Sequence, residues 1–468
     1  LCRKSYYSYL IAFSKLSVGY RSFIGKKRIL VVFYRSSGLK NAELAASQTK
    51  PTVMIQNYAV QYAEIWDKCS SQMPEFPKMY PKTEKKQKEE ALDQFLSTVK
   101  AFRQRRMQSN PFTETDQQLF LNEAHDFLRT GMDFTGDQLE MMFSDEMIEL
   151  TRSFVRQARA FDAELPFNDI FQACRNMWIM IGLQLVMGIP KQVTPSVFAY
   201  SMLYPYTDNL IDDPKISGFE KLTFSERFRD RLSGVHLTPG NKTENAIFRL
   251  VAMIESEYSR TDFPDVFESL LGIHDAQTNS MKLMQQADLL SEHNILKICL
   301  AKGGASVLAD GYLVAGNLLP EQQYFLYGYG GYLQLLDDIQ DVKEDHEAGL
   351  MTIFSRPAFH FPLDERLNKT YWFGECVMES LDSFDGQHMD LFKSLMRRSM
   401  DLFITEAIAQ VPEAYSPQYV MEFENYSSFH FSYIRKQKKQ FAPYMGFLLT
   451  QIEEMALTIR TKPERADL

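Results

Sequence analysis

Cysteine is scarce in this chain, and what there is lies scattered. The five cysteines among 468 residues, Cys2, Cys69, Cys174, Cys299 and Cys376, are odd in number and include no pair at metal-ligand spacing. That excludes a disulfide framework as the organising device and fits a reducing compartment. Acidic residues are missing from positions 1–42, where nine Lys or Arg stand without a counter-charge. Such a leader reads as an organelle-targeting segment, a membrane-surface arm, or translated upstream sequence foreign to the natural protein. The rest of the chain is rich in acid, leaving a net charge of −9 overall, which opposes binding to nucleic-acid phosphates. Long apolar runs are also lacking. The best stretch, Met177 to Ile189, is interrupted by Gln184 and ends at Gly188 and Pro190, short of the roughly 20 residues a membrane crossing needs. Strand alternation is nearly absent, and no internal repeat is visible.

What is present is helical periodicity. The chain is 45% hydrophobic and 24% charged, enough to bury a large core. Helices are expected over 54–70, 84–108, 115–130, 136–163, 167–188, 194–212, 244–258, 264–273, 279–291, 292–317, 320–345, 370–382, 385–411 and 417–438, punctuated by Pro, Gly, Asn or Asp. The predicted fold is all-α, a large bundle with its site on facing helices. Its expected divisions are a leader over 1–50, an N-terminal helical region over 51–160, a core over 161–445 and a tail over 446–468. The Pro- and Lys-rich stretch from Pro74 to Lys88 reads as a linker. A cytoplasmic protein is expected, imported into an organelle if the leader is genuine. Peripheral membrane contact stays open, as does the choice between monomer and homodimer.

Two acidic clusters carry the chemistry. In Tyr206-Thr207-Asp208-Asn209-Leu210-Ile211-Asp212-Asp213, Asp208 and Asp212 share a helix face at the end of an apolar, aromatic segment. In Leu335-Leu336-Asp337-Asp338-Ile339-Gln340-Asp341, followed by Glu344 and Asp345, the carboxylates of Asp337, Asp341 and Asp345 form an i, i+4, i+8 ladder. Like charges about 5–6 Å apart on one face repel, more strongly where burial removes screening. A cation resolves the conflict, and hard carboxylate oxygen donors point to Mg²⁺. The alternatives are ordinary helix-end residues before a Pro for the first cluster and a solvated acidic face for the second.

Between the clusters, Lys302-Gly303-Gly304-Ala305-Ser306 puts small residues inside a helix. Glycine there costs about 1 kcal/mol relative to alanine, so these residues admit a close helix or ligand, with Lys302 either reaching a phosphate or snorkelling at the surface. Near the C-terminus, Arg435 and Lys436 follow a run of aromatics. They either complement a helix end or close over an anion.

These residues resemble the class I isoprenoid synthases, helical proteins that ionise prenyl diphosphates with Mg²⁺ held by two facing aspartate-rich motifs. Leu333-Gln334-Leu335-Leu336-Asp337-Asp338-Ile339-Gln340-Asp341 is similar to the F-Q-x-x-D-D-x-x-D motif of trans-polyprenyl diphosphate synthases, with Leu for Phe. Lys302, thirty-five residues earlier, stands where that family's diphosphate-binding Lys is expected. Tyr206-x-Asp208-Asn209-Leu210-x-Asp212 looks like the Y-x-D-N-L-x-D pattern of the large class IB terpene synthases. Pro214-Lys215 stands where chain-elongating enzymes carry paired arginines, and Gly25-Lys26-Lys27-Arg28 lies far upstream of where their G-K-x-R element belongs. A single-substrate reaction is therefore favoured over condensation with isopentenyl diphosphate, with a non-catalytic binding scaffold as a third reading.

The resemblance implies a prenyl diphosphate substrate and a set of three Mg²⁺ ions. Asp208, Asp212, Asp337 and Asp341 would act as ligands and catalytic groups, Asp338 and Asp345 as further ligands, and Lys302, Arg435 and Lys436 as diphosphate partners. Asn209, Asp213, Gln334 and Glu344 would play secondary roles. Phe198, Tyr204, Tyr206, Tyr329 and Tyr332 are the candidate lining of a dry cavity for a carbocation.

Overall fold

A computed structural model describes residues 50–107, 113–212, 216–285, 289–384, 386, 388–441 and 444–457, apart from some side chains that include those of Asp208, Asn209 and Asp212. The leader over 1–49 and Asp213 lie outside the described residues. Every regular element among the described residues is helical. In chain order these are α1 (Lys50–Lys68), α2 (Lys82–Met107), α3 (Glu114–Thr130), α4 (Gly136–Phe143), α5 (Asp145–Phe161), α6 (Phe167–Val186), α7 (Pro195–Asp212), α8 (Gly218–Leu232), α9 (Lys242–Glu257) and α10 (Pro264–Ser280). There follow α11 (Lys282–Gln285), α12 (Glu292–Ala315), α13 (Pro320–Gln340), α14 (Val342–Ala348), α15 (Asp364–Glu379), α16 (Met389–Gln410), α17 (Pro417–Glu424), α18 (Phe431–Phe441) and α19 (Met445–Leu457).

Helix α12 is the axis of the bundle, in contact with α1, α6, α7, α10 and α13. Ser291 starts it by accepting a hydrogen bond from the Asn294 amide, and Gly316 ends it at φ 74°, a conformation that favours glycine. Among the described residues it is the one helix apolar and long enough to cross a membrane, but 83% of that span is buried inside the protein. It is a core helix, distinguished from the 177–189 segment that the sequence singles out by its length of 24 residues.

Several boundaries differ from expectation, each for a local reason. The helix expected over 136–163 is two, because Ser144 caps a new start with its side chain on the Met147 amide. Helix α8 falls where no helix is expected, opened by a Ser217/Glu220 capping box. Part of the supposed linker is the first turns of α2. Lys88 is buried there, donating to the Thr130 carbonyl at 2.9 Å and to Asp133 at 2.6 Å, and Lys85 donates to the Glu424 carbonyl. The expected tail contains α19, which packs on α5 and α6 and buries Leu448 and Leu449. Helix α1, in the N-terminal helical region, packs directly on α12 and α13.

One buried polar group sets a pH dependence. Asp310 on α12 is 0% exposed, and its Oδ1 accepts from Asn176 Nδ2 of α6 at 3.1 Å. Burial holds its carboxyl well above the usual range. At low pH it is protonated in folded and unfolded chains alike. Above the ordinary value of about 3.9 only the unfolded chain ionises freely, so stability falls as pH rises towards the folded pKa. Asp310→Asn should therefore gain on the parent in melting temperature as pH goes from 4.5 to 7.5. A pH-independent difference between the two would contradict this account.

Candidate functional site

The second acidic cluster sits at the C-terminal end of α13, and the small residues of α12 determine what it meets. A Cβ on Gly303 would lie 2.2 Å from the Gly330 carbonyl oxygen and 2.6 Å from Gln334 Cβ. One on Gly330 would lie 2.2 Å from the Gly303 oxygen. The glycines thus serve a backbone-to-backbone crossing of two helices. Successive contacts, Gly311 with Leu326, Gly304 with Tyr327 and Gly303 with Gln334, show that α12 and α13 run antiparallel, so Lys302 and the acids share one end of the bundle.

At that end the groups are buried. Lys302 is 7% exposed and Asp338 4%, and Gln334, Asp337, Asp341 and Asp345 are buried with them. Lys302 is therefore no surface lysine. Asp338 Oδ1 accepts from Gln334 Nε2 at 2.8 Å, while Oδ2 has no N–H or O–H donor among the described residues. Burial pushes the Asp338 carboxyl up to about 6 and Asp341 pushes the same way, against Lys302, Gln334 and the Cys299 thiol, which favour the anion. Lys302, Asp338 and Asp341 thus lie within electrostatic reach of one another. The ladder expected through Asp345 is bent, because the helix breaks at Asp341 (φ −96°, ψ 9°). Even so, the Asp341 and Asp345 amides still donate to the Asp337 and Asp341 carbonyls at 3.0 and 2.8 Å. Glu344 lies half-buried on α14.

The first cluster ends α7. This helix runs antiparallel to α12. Ser201 of α7 and Asp310 of α12 share Asn176 Nδ2 at 3.3 and 3.1 Å, and one turn along, the Tyr204 hydroxyl meets Ser306 Oγ at 2.8 Å. The next turn in the same direction is position 208 on α7 and position 302 on α12. The side chains of Asp208, Asn209 and Asp212 lie outside the described residues, so the first motif's ligands are not described.

Arg435 of α18 donates to the Ala409 carbonyl at 2.9 Å, which satisfies an open group at the end of α16. Tyr329 meets Met396 and Gln340 reaches the Phe403 carbonyl at 3.5 Å, so α13 and α16 run the same way and Arg435 sits at the acidic end. Lys436 is exposed. Of the five aromatic candidates, Tyr204 faces α12. Phe198 packs on Phe154, Tyr206 donates to Asp162 at 2.8 Å, Tyr329 stacks on Phe325, and Tyr332 packs on Phe373. None of the five lines the cavity of about 70 Å³ that opens between residues 76–80, α16 and α18, around Arg398, Asp401 and Gln437.

Among the described residues, no group of three or more His, Cys, Asp or Glu side chains converges as a metal-holding set. No protein-family model matches the chain, and no curated protein matches it.

Proposed function

We propose that this chain is a Mg²⁺-dependent class I terpene synthase that ionises a single prenyl diphosphate and releases inorganic diphosphate with a terpene product. The observation that carries the reading is the burial of Lys302 together with Asp337, Asp338 and Asp341 at one end of an all-helical bundle, the end towards which the Asp208 motif also runs. The donor chemistry fits a hard cation: carboxylate oxygens dominate, and one buried oxygen of Asp338 has no N–H or O–H donor among the described residues. Asp337, Asp338 and Asp341 would hold Mg²⁺ on one side, and Asp208 and Asp212 on the other. When bound, the metal supplies positive charge to the departing diphosphate.

The chain's own residues do the rest. Lys302 adds a fixed cation at the same end, and in a site shielded from water its charge acts on the leaving group at close to full strength. Gln334 orients Asp338 through its amide. Arg435 stands behind this end but already spends one N–H on the Ala409 carbonyl, so it acts on the bound anion by its field.

Incubation with Mg²⁺ and single prenyl diphosphates of ten to thirty-five carbons tests the proposal. A hydrocarbon or alcohol formed without isopentenyl diphosphate supports it, whereas elongation only on adding isopentenyl diphosphate makes the chain a prenyltransferase. Diphosphate release that survives Asp208→Ala and Asp337→Ala together defeats both readings. A single substitution, Lys302→Met, should reduce release about 10²-fold, with the far-ultraviolet circular dichroism spectrum unchanged.

A further inference from the structure

Cys69 and Cys376 are remote in sequence, yet the fold brings them side by side. Cys69 follows the end of α1 and is half-buried, Cys376 lies on α15 and is exposed, and both are free thiols. They are close enough to interact through a shared hydrogen. The placement is held from both sides. Before Cys69, Trp66 Nε1 donates to Thr370 Oγ1 at 3.0 Å, and Lys369 Nζ donates to the Asp67 carbonyl at 2.9 Å. After it, Asn368 Nδ2 donates to the Ser71 carbonyl at 2.9 Å and Trp372 Nε1 to the Gln72 carbonyl at 3.0 Å. Four bonds from one stretch of α15 thus fix the chain on either side of Cys69. Disulfide formation requires such fixed proximity of the two backbones.

We propose that Cys69 and Cys376 are a redox modification site, closing to a disulfide when the protein meets a peroxide. The exposed Cys376 sulfur attacks the peroxide; the O–O bond breaks, an S–O bond forms, and hydroxide leaves to take up a proton as water. The Cys69 sulfur then attacks the resulting sulfenic acid, so that an S–S bond forms, the S–O bond breaks, and a second water departs with the remaining proton. Two thiols lose two electrons and two protons, and one peroxide is reduced to two waters. The step is slow, because burial pushes the Cys69 thiol up to about 12 and also raises Cys376, beside Glu379 and Glu375, with Lys369 the opposing charge near Cys69. The other two described cysteines, Cys174 and Cys299, are buried and are internal controls.

The crosslink joins the two helices that bracket α13. On one side, Tyr62 of α1 donates to the Tyr324 carbonyl at 2.7 Å. On the other, Gly374 of α15, two residues from Cys376, lies so tightly on Tyr332 that a Cβ would come within 2.2 Å of its ring. Oxidation therefore pins this brace by closing a loop that takes in most of the chain, which constrains the unfolded state strongly. This inference is independent of the reaction assigned above.

The test is to treat the folded full-length protein with hydrogen peroxide, alkylate it, digest it with trypsin without reduction, and weigh the peptides. Residues 69–78 and 370–393 are expected as one linked species, lighter than their sum by two hydrogens and separated by dithiothreitol. The oxidised protein should melt several degrees above the reduced one. The exposed-site variant Cys376→Ser should fold as the parent does and show neither the linked peptide nor the gain. Recovery of the two peptides separately, each alkylated or with Cys376 at the sulfinic stage, overturns the proposal.

Discussion

Replacing Asp337 and Asp341 together with asparagine should lower Mg²⁺-dependent diphosphate release from a prenyl diphosphate by at least about 10³-fold with little change in the melting temperature. The two halves of this expectation have one origin. Both carboxylates are buried at 7% and 9% exposure, one turn apart, and anions so placed repel each other while lacking the solvent that would screen them. That repulsion opposes folding and offsets what the carboxylates gain from their other contacts, so neutral isosteres change stability little. A cation-binding site depends on the two charges and fails. If the carboxylates are instead structural, the double variant loses stability and activity in parallel, and melting curves recorded beside the release assay separate the cases.

The second large effect concerns the crossing that brings the site together. Gly303→Ala should destabilise the protein by roughly 3 kcal/mol or more, or prevent folding. The atom its Cβ would meet at 2.2 Å is a backbone oxygen on Gly330, which no rotamer change can move. Gly330→Ala meets the mirror-image contact and should behave alike. By contrast, a Cβ on Gly349, at φ 74°, has nothing within 4 Å, so Gly349→Ala carries only conformational strain, about 1 kcal/mol. Denaturant unfolding of the three variants checks the order. A loss below 1 kcal/mol at Gly303 would mean that the helices can part, and with them Lys302 and Asp338.

The all-helical class was legible because apolar residues recur at helical spacing along the body of the chain. The acidic cluster and Lys302 were legible because carboxylates and a lysine inside apolar helices conflict with burial and call for an explanation. Other features left weaker marks. The Ser217/Glu220 capping box of α8 was a usable signal that apolar periodicity alone passes over, since that helix buries few of its residues. The Lys-rich start of α2 read as a linker because composition does not show that Asp133 and the Thr130 carbonyl wait for Lys88. Asp310 sits in a helix whose neighbours give no sign that Asn176 will meet it. Scattered cysteines argued against a disulfide framework, but sequence distance says nothing about spatial distance, so the Cys69–Cys376 pair emerged only from the packing of α1 on α15. The break at Asp341 likewise has no sequence marker, since no Gly or Pro stands there.

The most direct test of the central claim is isothermal titration of the purified protein with a prenyl thiolodiphosphate, which resists ionisation, in Mg²⁺ and again in EDTA. The account predicts saturable binding in Mg²⁺ that disappears in EDTA and in the Asp337/Asp341 double variant. Binding of equal strength with and without the metal, or none in its presence, would contradict it.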